Sequence, residues 1–180
     1  MLKKESSLMI MATFLKSLKW YHGIIFYIAI NLLSGGRLAT REYLDTVGRP
    51  PFMPPDWAFA PVWITLQIFM IIAGFKLIQV LTEETRGESL LISYSLLWAF
   101  FSMFSWFYFG LHSPILGFLT TFGMFLNNVF NLSSGFQLKN KAFAWLLTPL
   151  MVWLTIASAI AGWQMLYTPD ELFGTSAFLN

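Results

Sequence analysis

The side chains that could do acid–base, nucleophilic or metal chemistry are nearly missing from the apolar parts of this sequence. Cysteine is absent from all 180 residues, which removes disulfides, thiolate nucleophiles, iron–sulfur ligation and cysteine-bound zinc together. The two histidines, His22 and His112, fall on opposite membrane faces in the topology read below, so one monomer cannot bring both to a metal. Each is read as a polar side chain at headgroup level. The apolar stretches carry no Asp or Glu, so neither a paired-carboxylate hydrolase nor an intramembrane proton carrier is expected. What they carry instead is aromatic surface and amides. Of the eight Trp, Trp20 and Trp145 stand at stretch ends, as interfacial anchors do. Trp63 and Trp153 stand deeper, where an indole N–H needs a partner and its face can stack on a planar ligand; helix packing is the competing reading. Asn31, Gln67, Asn127, Asn128 and Asn131 are expected to face the interior, either hydrogen-bonding between helices or lining a cavity.

The elements that position these groups are transmembrane helices. Hydrophobic residues make up 57% of the chain and charged residues 11%, with a mean hydropathy of +0.63, far from the balance of a water-soluble domain. Five stretches approach the roughly 20 apolar residues that a span requires: Trp20 to about Gly36, Trp57 to Leu81, Leu90 to Phe109, Ile115 to about Leu132, and Ala142 to Tyr167. None alternates as a strand would, so the fold class is an all-α, polytopic bundle of five transmembrane helices, expected as a single domain over 1–180. Residues 1–19, with Lys3, Lys4, Lys16 and Lys19, are expected to stay on the chain as an interfacial segment. The connection 37–56 contains Pro50, Pro51, Pro54 and Pro55, which makes a rigid, largely extended path suited to cover a cavity mouth. The other connections are short and force antiparallel neighbours, with Gly110 available to cap the third helix. Lysine and arginine are biased to the amino-terminal side, which predicts an inside amino terminus. The proline-rich loop, Asp170 and Glu171 then share the outer side. Net charge is only +2 and the basic residues are dispersed, so no nucleic-acid face is expected. Ser93, Ser95 and Ala99, and Ala157, Ser158, Ala161 and Gly162, form small-residue spacings that give a weak signal for a homodimer. Neither half of the chain repeats the other, which argues against an inverted-repeat transporter.

The run Arg49-Pro50-Pro51-Phe52-Met53-Pro54-Pro55-Asp56-Trp57, continuing into Pro61-Val62-Trp63, is the most specific feature. It resembles the signature of the tryptophan-rich sensory protein (TspO/MBR) family, which includes the mitochondrial translocator protein or peripheral benzodiazepine receptor. Phe107-Tyr108-Phe109-Gly110 and Pro149 with Trp153 resemble two further family pieces. The chain departs from the pattern at Phe52, which stands for Trp; at Gln67, for Tyr; at Phe101 and Phe104, for Asn and Trp; at Leu150, for Tyr; and at Ile160-Ala161, for Leu-Asn. A family cholesterol motif is absent after Tyr167. The resemblance implies a membrane receptor or sensor that binds porphyrins, haem-like molecules or other hydrophobic planar ligands, lipids among them, with a role in tetrapyrrole transport or regulation and no required cofactor. It implies ligand contacts from Trp57, Trp63 and Trp153 under a cap containing Phe52, and the polar and small positions Asn31, Gln67 and Ala157 are expected beside them. Arg41 and Arg49 would attract propionates at the mouth. The setting implied is a bacterial inner membrane or another energy-transducing membrane, with membrane lipid and a tetrapyrrole-like small molecule as partners. Two rivals to a binding role are a photo-oxidative, porphyrin-degrading enzyme using tryptophan, and a ligand-free regulatory partner of another membrane complex. Enzymatic activity is the less favoured reading.

Overall fold

The computed structural model describes residues 13–15, 17–35, 41–80 and 87–179. Trp20–Leu33 forms the first apolar helix, α1, and its start is closed by Lys19 N donating to His22 Nδ1 at 2.9 Å. Its 14 residues span about 21 Å, short of the roughly 30 Å hydrocarbon core. Four longer helices are apolar enough to cross a membrane: α3 at Asp56–Val80, α4 at Gly87–Ser105 continuing through a π-helical turn at Trp106–Gly110, α5 at Pro114–Gly135, and α6 at Ala142–Tyr167. The short α2, Arg41–Thr46, lies in the first connection. Every expected span is therefore helical, the first one shorter than the others. No strand forms among the described residues, and the chain is an all-helical membrane bundle.

Asp56 opens α3 and Glu88 sits in the first turn of α4, just before the apolar stretches that begin at Trp57 and Leu90, at helix starts where the macrodipole favours them. Two local expectations are corrected. The first connection is not extended throughout. Its prolines cluster at 50–55, which leaves 41–46 free to coil, with Thr46 Oγ1 donating to Tyr43 O at 2.7 Å. Gly110 does not provide the left-handed residue after the third span; the π-helical turn is closed by Leu111 N donating to Trp106 O at 3.0 Å, and His112 takes φ +47°. That φ is held by the stacking of the His112 ring on Tyr43 and by its Nδ1 contact with Glu171, described below. Residues 1–12, 16, 36–40 and 81–86, including most of the expected interfacial segment, lie outside the described residues.

Helices α5 and α6 pack together, α4 lies against α5, α3 lies against α6, and α1 rests on α3 and α4. The bundle is solid at the end where α3 stops and α4 starts: Met70, Ala73, Leu77, Leu90, Leu97, Leu147 and Leu154 have no exposed surface. Amides tie the same region together, with Asn127 Nδ2 donating to Ser93 Oγ and Asn131 Nδ2 to Asn127 Oδ1, both at 3.0 Å. Asn127 thus serves interhelical contact, and Asn131 braces it within α5. Toward the α2 end, the same helices part around a cavity.

Candidate ligand cavity

The cavity has a volume of about 500 Å³ and is walled by all five apolar helices. Asn31 and Ser34 enter from the end of α1; Phe59, Ala60, Trp63, Ile64 and Gln67 from α3; Phe101, Phe104, Ser105, Tyr108 and Phe109 from α4 and its π-helical turn; Thr121 and Met124 from α5; Trp153, Ala157, Ile160, Ala161 and Gln164 from α6. Leu44 and Met53 complete it from the first connection. The spacing explains why one face of each helix is used. Residues 153, 157, 160, 161 and 164 repeat at helical i, i+3 and i+4 intervals, as do 101, 104, 105 and 108.

Three aromatic rings meet in its wall. Trp63 and Trp153 lie edge to face at 6.3 Å between centroids, and Trp63 leans on Phe101 at 5.4 Å. Trp153 is 8% exposed, and its buried Nε1–H has no hydrogen-bond partner among the described residues. The wall also carries an amide pair, in which Asn31 Nδ2 donates to Gln67 Oε1 at 2.6 Å.

The rim is polar and spent. Tyr108 donates its hydroxyl to Gln164 Oε1 at 2.8 Å, Gln164 Nε2 donates to Gly48 O at 3.3 Å, and Gly48 N donates to Thr168 Oγ1 at 3.1 Å. The loop is thereby tied to the end of α6. A Cβ at Gly48 would stand 2.6 Å from the Trp163 ring, so this close approach requires glycine. The segment after α6 folds back over the same end. Asp170, 2% exposed, caps the start of α5 by accepting from Ser113 Oγ at 2.7 Å and Ile115 N at 3.0 Å through Oδ2, while Oδ1 accepts from Phe173 N at 3.0 Å. His112 stacks on Tyr43 at 4.3 Å and pairs through Nδ1 with Glu171 Oε2 at 2.8 Å. Burial, then the charges of Glu171 and Asp170, raises the Tyr43 phenol above its ordinary range.

Of the residues singled out in the sequence, Trp63, Gln67, Trp153, Asn31 and Ala157 are brought together in this wall. Phe52 and Trp57 are not in it; they are 52% and 76% exposed. Trp57 is the second residue of α3 and stands on its outer face, as an interfacial anchor would. Met53 and Leu44 cover the cavity in their place. Arg49 stands at the mouth in an exposed ion pair with the lining residue Asp56, at 2.9 Å, and the hydrogen bond to Asp56 raises the guanidinium pKa. Arg41 begins α2, and its side chain lies outside the described residues. His22 and His112 are used in a helix cap and in the loop clamp respectively. Among the described residues no three metal-ligating side chains converge. Four departures from the sequence signature line the cavity, namely Gln67, Phe101, Phe104 and the Ile160-Ala161 pair, whereas Leu150 belongs to the solid core at 1% exposure. The small residues Ala157 and Ala161 face this cavity, and Gly162 lies against Phe118 of α5, so these positions serve contacts within the chain.

Tyr108 and Gln164 are site residues that sequence reasoning did not select. The available signal was spacing: Gln164 is polar and lies in register with Trp153, Ala157 and Ala161 on one face of α6.

Apolar helices around a capped, tryptophan-walled chamber of ligand size define an integral membrane protein of helical-bundle type with an internal binding cavity. Comparison with known proteins narrows this class: the chain belongs to the TspO/MBR family, which it matches over residues 23–167. It is 27% identical to the tryptophan-rich protein TspO of Chlorobaculum tepidum over 116 residues, covering 64% of this chain and 73% of that protein. It is 26% identical to the tryptophan-rich sensory protein of Cereibacter sphaeroides over 127 residues, covering 71% and 77%. To protein CrtK of Rhodobacter capsulatus it is 24% identical, over 71% and 79% of the two chains.

Proposed function

We propose that this protein is a membrane receptor or sensor whose cavity takes porphyrins or other hydrophobic planar molecules. The observation that carries the reading is a roughly 500 Å³ cavity with two tryptophans, Trp63 and Trp153, in its wall. The rings of Trp63, Phe101 and Trp153 offer stacking faces. Leu44 and Met53 exclude water above the ligand, and Arg49 beside Asp56 presents the cationic group at the mouth, where a propionate would stay hydrated. A sensory role agrees with the name carried by the Cereibacter sphaeroides relative. The basic bias of the sequence further supports an amino terminus on the inner side of a bacterial or other energy-transducing membrane.

The test is a titration of tryptophan fluorescence in the reconstituted protein with protoporphyrin. Saturable quenching at micromolar concentration is expected, weakened at least severalfold in Trp63→Phe/Trp153→Phe. No quenching, or a curve that the double substitution leaves unchanged, contradicts the proposal. Under illumination, a new product spectrum that requires Trp63 would move the reading to a photo-oxidative enzyme.

A further inference from the structure

The deepest polar group of the cavity has hydrogen-bonding capacity that the protein does not use. Asn31 Nδ2 donates to Tyr27 O at 2.8 Å and to Gln67 Oε1 at 2.6 Å. A backbone carbonyl can only accept, so the first contact fixes which end of Asn31 is the nitrogen, and the second then fixes Gln67. Both hydrogens of Asn31 Nδ2 are thereby spent. Asn31 Oδ1 and both hydrogens of Gln67 Nε2 have no partner among the described residues. Gln67 is 3% exposed and both residues line the cavity. Unspent amide donors and an acceptor that line a cavity can pair with a molecule that enters it.

The other polar groups of the wall differ. Gln164 is engaged at both ends, by Tyr108 and by Gly48. Thr121 Oγ1 is bonded to Gly117 O at 2.9 Å within its own helix. Asp56, the charged residue in the lining, is at the mouth and paired with Arg49. Gln67 lies eleven residues farther along α3 than Asp56, about 16 Å at 1.5 Å per residue. With no cation in the lining there, a ligand carboxylate would be desolvated without compensation.

We propose that Asn31 and Gln67 form the specificity-determining end of the cavity and select ligands whose inner end carries a neutral, adjacent acceptor and donor, as in a lactam or a cis amide. The ligand carbonyl accepts from Gln67 Nε2 and the ligand N–H donates to Asn31 Oδ1. This rests on the cavity being a ligand site, and it adds a selection rule that aromatic stacking cannot supply, since every planar ring has a face to stack.

Three planar probes of nearly equal shape test it: phenanthridin-6(5H)-one, its N-methyl derivative, and phenanthrene, each titrated against tryptophan fluorescence in the reconstituted protein, with protoporphyrin as a separate control. The lactam is expected to bind about tenfold more tightly than phenanthrene, a ratio typical of one or two recovered hydrogen bonds, and the N-methyl compound to lose most of that advantage. In Gln67→Met and, independently, in Asn31→Leu the three probes should bind alike, while cooperative thermal unfolding in detergent shows that the variants are folded. Equal binding of the three probes to the wild type, with protoporphyrin still quenching, overturns the selection rule and leaves the cavity assignment standing. A lactam preference that survives both substitutions also overturns it. Absence of quenching by every probe and by protoporphyrin overturns the cavity assignment and this inference with it.

Discussion

The two halves of this bundle are built from the same helices and are packed in opposite ways. In the half away from α2, Met70, Leu77, Leu97, Leu147 and Leu154 leave no exposed surface, and Asn127, Asn131 and Ser93 are bonded to one another. In the half beneath α2, the helices wall a cavity of about 500 Å³, and Gln67 Nε2 in its lining makes no bond among the described residues. In lipid, helices gain little from burying apolar surface against one another, so stability comes from van der Waals fit and from satisfied polar groups. The solid half supplies the fit, although Asn128 Oδ1 and Asn131 Oδ1 have no partner among the described residues. The hollow half forgoes that fit, which makes sense where a ligand is to supply the missing contacts.

Substitutions can break or sharpen that contrast. The largest effect is expected in the solid half, where Leu97→Ala leaves a void among close-packed neighbours and should lower stability by about 2–3 kcal/mol, read as thermal unfolding in detergent. If Leu97→Ala were as mild as a substitution in the cavity wall, the two halves would not differ as described. Asp170→Ala should follow closely, at about 2 kcal/mol, because a buried carboxylate accepting three hydrogen bonds is lost from the start of α5 and from the segment after α6. Gly48→Val should cost about 1–2 kcal/mol through collision with Trp163, and it should also expose the loop to protease, because the Gln164 and Thr168 ties to Gly48 would part.

Alkali gives a smaller, local effect. The Tyr43 phenol is raised above its unfolded value, so the stability it confers is fully present below the unfolded pKa and is lost as pH climbs through about 10 toward the higher folded value. Protease sensitivity of the loop should rise in that range, and Tyr43→Phe should remove the pH dependence. The smallest effect is expected at the exposed cap residues: Trp57→Phe and Phe52→Leu should change protoporphyrin affinity less than about twofold, since neither side chain lines the cavity.

What could be read in advance divides along the same contrast. The span positions were legible because about 20 apolar residues in a row have few alternatives, and α6 matches its expected limits at both ends. The deep tryptophans and the amides Asn31 and Gln67 were legible too, since polar or indole groups within a span must turn inward. The cap was misread in detail. A signature motif says which residues occupy the loop but not which side chains turn down, and Met53 turns in where Phe52 and Trp57 stay out. The shorter α1, the π-helical turn at Trp106–Gly110 and the return of Asp170 to cap α5 depend on contacts across many residues, for which local sequence carries no period.

The central claim is that the hollow half is a ligand chamber, and the most direct test is to fill it. Ala157 lines the cavity from α6, so Ala157→Phe places a ring in space the account reserves for ligand and should leave thermal stability within about 1 kcal/mol. This variant should fold and lose protoporphyrin affinity at least tenfold. Wild-type quenching by a folded Ala157→Phe protein would contradict the central claim.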